Sequence, residues 1–465
     1  MAATAVGGAG LWRGYDASSG SVLDARVGPD LVEPTTISSR EGRLDVRLEA
    51  AAGVNLAGRR TAAYGYNGTS PGPTLRVRRG DVLRVELVNR LGVATNLHTH
   101  GLHVSPEGNG DNIFVKVAPG ETFRYEYRIP DDHPVGTFWY HPHVHGQVAE
   151  QVFGGLVGAL VVDGSDVEVD RDRVLVVTDT TLDANGGLKE VSTPERMMGR
   201  EGLLVLVNGQ VRPRLTAASG DVERWRIING CSARFLNVQL DGHVLHLLGY
   251  DGQGLAGPVE RPELLLAPGN RVDVVVQFAE SGEHLLRAAP YDRGGMGSGM
   301  MMRGESGSVD SVPLATAVVT AAESSPRALP VLGSRLPDLR REPVEVRRTL
   351  TFAMGMGLGG MSFTIDGKEF DPNRVDQRVR LGTTEEWTIQ NASPMDHPFH
   401  LHVWPFQVVE PSAGDIPNWR DTVNVPAGGR AIIRVRFADI AGRTVYHCHV
   451  LDHEDNGMMG VVEAR

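Results

Sequence analysis

Along most of the chain, apolar and polar residues alternate in short runs broken by glycine and proline. This period of two predicts β-strands, and no long helical period competes with it. One pattern recurs three times. Asn67-Gly68 precedes Gly80-Asp81 and then the run Arg84-Val85-Glu86-Leu87-Val88-Asn89. Asn208-Gly209 precedes Gly220-Asp221 and Arg224-Trp225-Arg226-Ile227-Ile228-Asn229. Asp366-Gly367 precedes Gly382-Thr383 and Glu386-Trp387-Thr388-Ile389-Gln390-Asn391. Each copy reads as a turn, a second turn containing glycine, and a strand ended by asparagine, whose side chain can close a turn. Any all-β chain repeats strands and turns, but the matched order of three elements favours duplication over coincidence.

The pattern predicts antiparallel sandwiches in three consecutive domains, at residues 1–165, 166–325 and 326–465, the first carrying an N-terminal extension to about residue 40. Asp163 to Arg173 is a charged stretch suited to one connection. Residues from about Arg303 to Arg348, rich in serine, proline and small side chains, suit a long connection into the third domain.

Composition narrows the function classes. A chain of 465 residues can bury sizeable cores, and 41% hydrophobic with 22% charged residues is the balance of an ordinary soluble protein. The net charge of −11 argues against nucleic acid, which selects basic surfaces, and otherwise signals solubility. Lysine is confined to Lys116, Lys189 and Lys368. No apolar run is long enough to span a membrane. The first residues lack the basic and apolar regions of a secretion signal, so the chain is either cytosolic or numbered from after a removed signal.

The chemistry is concentrated near the C-terminus, where His447-Cys448-His449 is followed by His453 and Met458. A thiolate, imidazoles and a weak thioether are the ligands of a blue-copper electron-transfer site. In a strand, His447 and His449 point away from Cys448, toward a second metal site joined to the first through one residue of backbone on each side. His98 and His100, His141 and His143, and His397, His400 and His402 form three further clusters. With His447 and His449, the four clusters hold nine of the sixteen histidines. A single H-x-H pair is often a core or surface accident; four such clusters, one of them around a cysteine, are not. With Cys448 as a ligand no disulfide can form, and Cys231 reads as a small buried hydrophobe. His243 and His246 stand alone and read as structural.

On these motifs the chain resembles three-domain bacterial multicopper oxidases of the laccase and cuprous-oxidase type, over nearly everything after about residue 40. The resemblance implies three cupredoxin-like Greek-key sandwiches and four copper ions. It assigns His397, Cys448, His453 and an axial Met458 to a type 1 copper, with Met459 as the rival axial residue. His98 and His400 fall to a type 2 copper, and His100, His141, His143, His402, His447 and His449 to a type 3 pair. Ligands occur only in the first and third copies, so the cluster must lie between those domains. The middle domain is then a spacer and one wall of the substrate access. Electrons would pass from a ring edge of His453 or His397, through Cys448 and its flanking histidines, to dioxygen at the cluster. Members of the family are commonly exported, which favours a removed signal.

Oxygen reduction consumes protons, and Glu454 and Asp111 match positions where the family places relaying carboxylates, with Asn109 a rival to Asp111. His103 and His145 lie beside the motifs and read as supports for the ligands. Eight of the thirteen methionines fall in three places: Met296, Met300, Met301 and Met302 in a Gly-rich stretch, Met354, Met356 and Met361 in another, and Met395 beside His397. Soft thioethers favour Cu(I), and Asp396 would help attract the cation, whereas the plainer alternative is a mobile loop near the substrate access. The expected activity is laccase-like oxidation of phenols and aromatic amines with dioxygen as acceptor. A cuprous oxidase is the runner-up, and a non-catalytic scaffold is disfavoured because no ligand is missing. A nitrite reductase would lack histidines on both sides of its cysteine.

Overall fold

In the computed structural model, residues 27–164, 167–295, 310–322, 328–330, 337–357, 360–411 and 417–465 are described. The chain forms three pairs of facing sheets. The repeated strands Val82–Asn89, Val222–Asn229 and Thr383–Asn391 occupy equivalent places, each lying inside a sheet between one parallel and one antiparallel partner.

The turn and strand-end chemistry repeats with them. Asn67, Asn208 and Asp366 adopt φ of 53°, 51° and 53°, followed by glycines at 78°, 75° and 71°. This two-residue left-handed turn is what Asn-Gly and Asp-Gly favour. The closing asparagines are equivalent too. Asn89 donates to Val93 O and Val117 O, Asn229 to Arg234 O and Leu266 O, and Asn391 to Met395 O and Val425 O. Each ties down the loop that leads to the next strand.

Two expectations are corrected. The sheets are mixed, not purely antiparallel. After Arg43–Ala52 the chain crosses to the facing sheet as Thr74–Arg78 and returns as Val82–Asn89, which therefore runs parallel to its partner. The same crossing recurs through Arg214–Ala218 and through Gln377–Val379. The second correction concerns the long connection expected over about 303–348. It contains the strand Val312–Thr320, paired parallel with Arg214–Ala218, whose alanines and threonines masked its β character.

The domains are bound through buried polar contacts. Val222–Asn229 is buried on both faces, because Arg224 and Arg226 reach Asp273, and Asp273 accepts from Thr137 Oγ1 of the first domain at 2.9 Å. Arg200 of the middle domain pairs with Asp452 of the third at 2.7 Å. The Asp455 carboxylate accepts from the backbone N–H groups of Gly146, Val148 and Ala149, closing the start of the short helix Val148–Phe153. Chain segments more than 300 residues apart thus meet. Among the described residues, no helix is long and apolar enough to cross a membrane.

Candidate metal centres

His98–His100 is the edge strand of its sheet and pairs with Gly136–His141, setting His98 opposite His141 and His100 opposite Trp139. In the third domain, His397–Leu401 pairs with Gly442–Cys448, setting His400 opposite His447 and Phe399 opposite Cys448. Strand alternation then sends His447 and His449 to one side and Cys448 to the other. The two histidine-bearing strands face each other across the domain boundary. His98 stacks on His402 with ring centres 3.9 Å apart, and His100 stacks on His400 at 3.8 Å.

Eight histidines converge there, none more than 1% exposed: His98, His100, His141, His143, His400, His402, His447 and His449. The Nε2 atom of His447 lies 3.2 Å from His143 Nε2 and 3.1 Å from His402 Nε2. His98 Nε2, His100 Nδ1, His141 Nε2, His400 Nε2 and both ring nitrogens of His449 are buried without a hydrogen-bond partner. Burial holds all eight imidazoles below their ordinary pKa, reinforced by neighbouring rings at every one but His447; His141 falls to about 3 and His447 to about 4. Neutral rings with unshared lone pairs aimed at one another are costly in a protein interior unless a cation sits among them.

The opposite ring edges are held. His98 Nδ1 is 2.8 Å from Asp111 Oδ2, and His141 Nδ1 and His447 Nδ1 donate to Pro142 O and Cys448 O, both at 2.9 Å. Such partners fix the tautomer that leaves the far nitrogen free for a metal.

On the other side of the strand, Cys448 Sγ lies 3.3 Å from His397 Nδ1 and 3.8 Å from His453 Nδ1. Met458 shares the core cluster of Cys448, whereas Met459 packs with Ile113, Val445 and Val461. The outer nitrogen of His397 is covered by Ser393 Oγ at 2.7 Å, while that of His453 donates to Met197 O at 3.1 Å. Met197 belongs to the middle-domain helix Thr193–Met198, opened by a Ser192/Glu195 capping box. Nothing in the sequence singles out Met197, although the S-x-x-E box before it marks a helix start.

Of the two carboxylates, Asp111 is buried against His98 and also accepts from Thr99 N at 2.8 Å; burial raises its pKa to about 7. The rival Asn109 is exposed. Glu454 is fully buried, 3.2 Å from His447 Nδ1 and 3.5 Å from His143 Nε2. Burial, with the adjacent Asp455 charge, pushes its pKa well above the usual carboxyl range.

Other candidates behave differently from expectation. Met354, Met356 and Met361 do not lie in a loop: they belong to the paired strands Val346–Gly357 and Gly360–Ile365, where Met354 and Met361 pack on the third-domain core. Met395 is fully buried. Asp396 accepts from Tyr291 Oη at 2.6 Å, Asn424 Nδ2 at 2.7 Å and Ala427 N at 2.8 Å, so its charge is spent inside the protein rather than offered to a cation. Met296, Met300, Met301 and Met302 lie outside the described residues. His145 packs on Phe370.

His103 supports the backbone, not a ligand ring. It meets Val403 O at 2.9 Å and Asp439 Oδ1 at 3.0 Å, tying the first domain to the third. Val403, directly after His402, holds φ of 70°, a costly conformation for a β-branched residue. Burial pulls the His103 pKa down, but the Asp439 hydrogen bond and charge outweigh it, and the net shift is upward; His103 in turn holds Asp439 down. The pair's stabilisation is therefore present between the ordinary aspartate and histidine ranges. It is lost as pH rises through the raised His103 value, and at the acid end as pH falls through the lowered Asp439 value. Asp439 is half-exposed, so the contribution is about 1 kcal/mol or less. Thermal midpoints measured from pH 6 to 9 are expected to fall more steeply in the parent than in Asp439→Asn.

Family models described as multicopper oxidase match residues 50–166, 171–306 and 343–465. The chain is 31% identical over 416 residues to multicopper oxidase mco of Staphylococcus haemolyticus (strain JCSC1435), covering 86% of this chain and 83% of that protein. It is 27% identical over 509 residues to a laccase of Bacillus subtilis (strain 168), covering 94% of this chain and 97% of the laccase. A solved multicopper oxidase from Campylobacter jejuni, described as a metallo-oxidase, superposes with a TM-score of 0.83 at 31% identity, covering 94% of this chain and 96% of the other. The fold, the copper-ligating chemistry of its buried histidines and cysteine, and these matches lead to one conclusion: the chain belongs to the multicopper oxidase family.

Proposed function

We propose that this oxidase couples one-electron oxidation of phenols and aromatic amines to the four-electron reduction of dioxygen to water. The observation that carries the reading is the eight-histidine cluster between the first and third domains, joined through His447 and His449 to the Cys448 site. On this reading the domains span residues 1–165, 166–325 and 326–465. His397, Cys448, His453 and Met458 hold one copper, His98 and His400 a second, and His100, His141, His143, His402, His447 and His449 the remaining pair. The buried orphan nitrogens of the cluster fit this assignment. So does the placing of Met458, not Met459, in the Cys448 core. When bound, copper supplies one-electron uptake at the Cys448 site and dioxygen reduction at the histidine cluster.

The chain's own groups do the rest. The outer edge of His453, buried beneath the half-buried Met197, is where a reductant comes closest to the Cys448 site. Cys448 is adjacent in sequence to two cluster histidines, so the path between the sites is a few covalent bonds on either side. Complete burial of the eight rings keeps bulk water from the reaction. Glu454, 3.2 Å from His447 Nδ1, holds a proton where oxygen reduction consumes one, and Asp111 fixes the His98 ring and offers a second acid.

A cuprous oxidase is the second reading. It is favoured by two partly buried thioethers, Met197 and Met198, on the helix that covers His453, in addition to Met296 and Met300–Met302 in the sequence. Turnover of Cu(I) and of a phenol, measured on one fully copper-loaded sample, separates the two. The laccase-like reading expects the phenol to be oxidised with the higher kcat/KM, and the reverse order would replace it with the second.

A further inference from the structure

Among its described residues the middle domain places no histidine in the cluster, yet its loop Gly269–Arg271 reaches it. Gly269 holds φ of 89°, and a Cβ there would stand 2.9 to 3.0 Å from the His449 ring, so the bare backbone lies against that ring. Arg271, fully buried, sends Nη1 to Asp421 Oδ1 at 2.8 Å and Nη2 to Asp421 Oδ2 at 2.6 Å. This two-pronged pair leaves the carboxylate one orientation. Gly101, next to His100, admits the pair: a Cβ there would lie 2.4 Å from both Arg271 Nη2 and Asp421 Oδ2.

Asp421 in turn addresses two stacked rings from different domains. Its Oδ1 lies 3.1 Å from His100 Nε2, and its backbone carbonyl accepts from His400 Nδ1 at 2.8 Å. Thr422 Oγ1 donates to Asp421 Oδ1 at 2.9 Å and sits 3.1 Å from His400 Nδ1. Asp251 and Asn270 complete the network, with Asn270 Nδ2 donating to Thr422 O at 3.0 Å. The nitrogens left over, His100 Nδ1 and His400 Nε2, are the orphaned ones. His100, His400 and Asp421 lie close enough together to suggest a further metal site. The Arg271 guanidinium against the same carboxylate excludes a cation there.

We propose that Asp421, locked by Arg271 of the middle domain and by Thr422, is a positioning residue for the oxygen-reducing cluster. It sets the tautomer and tilt of His100 and His400, and it makes the ligand-free domain part of the cluster. This rests on the copper assignment above. Partners of this kind typically contribute about ten- to a hundredfold in metal affinity.

The experiment uses the full-length, copper-loaded protein. Parent, Asp421→Asn, Thr422→Val and Arg271→Lys are titrated with a copper chelator while the blue absorption of the Cys448 site and the paramagnetic signal of the type 2 copper are followed. In Asp421→Asn the cluster copper is expected to leave at about ten- to a hundredfold lower chelator activity, with the blue band retained. Arg271→Lys and Thr422→Val should shift in the same direction by less. Cluster copper held as tightly as in the parent, or both centres lost in proportion, overturns the proposal. Should Asp421→Asn not fold, an unshifted Thr422→Val overturns it. A parent protein without cluster copper would instead fail the copper assignment itself.

Discussion

Replacing Cys448 with serine is expected to abolish the blue absorption and lower the bound copper by one ion per chain, while the cluster keeps its own. The band requires a thiolate on Cu(II), and a hydroxyl cannot supply it. Cys231 cannot substitute, because it lies in the middle-domain core with its Sγ 3.8 Å from Val177 O. Oxidation of every reductant, phenol or Cu(I), should drop to the level of copper-free protein, since the histidine cluster is fully buried and, on the proposed assignment, receives its electrons through Cys448. Absorption spectra, metal analysis and steady-state rates on the same preparation check this. A variant that stayed blue would sink the assignment of Cys448.

The second large effect concerns Glu454. The glutamine variant keeps its shape and hydrogen-bonding capacity but loses the acid that sits between His143 and His447. Reduction of the Cys448 site under anaerobic conditions should be nearly unchanged. Reoxidation by dioxygen should slow by about a hundredfold to ten-thousandfold, the usual range for loss of a positioned acid. Asp111→Asn should show a smaller defect of the same kind, because Asp111 touches only one cluster ring directly. Reoxidation of Glu454→Gln at the parent rate, from acid to neutral pH, would mean that protons reach the cluster without it.

The clustered histidines and the three-fold repeat were readable because they are local. His-x-His in a strand places two rings on one face whatever surrounds it, and Asn-Gly or Asp-Gly closes the same left-handed turn at residues 67, 208 and 366. Contacts assembled across domains were not readable. Nothing near Asp421 in the sequence announces Arg271, 150 residues away, or that their pair would set the His100 ring. The strand Val312–Thr320 hid behind alanine and threonine, and the glycines around Met354 and Met356 suggested a loop where the chain pairs as a hairpin. Asp396 looked available beside His397 because its three donors come from distant segments and the following turn. His103 looked like a ligand's support, yet it holds the strained Val403 backbone from the opposite domain.

The central claim is that one chain carries a thiolate copper site and a three-copper histidine cluster together. Copper bound per chain in fully loaded protein, resolved into its blue, type 2 and coupled-pair signals, tests it most directly. The assignment predicts four ions, one of each of the first two kinds and two coupled. A chain that saturates at one or two ions, or binds none, would contradict it.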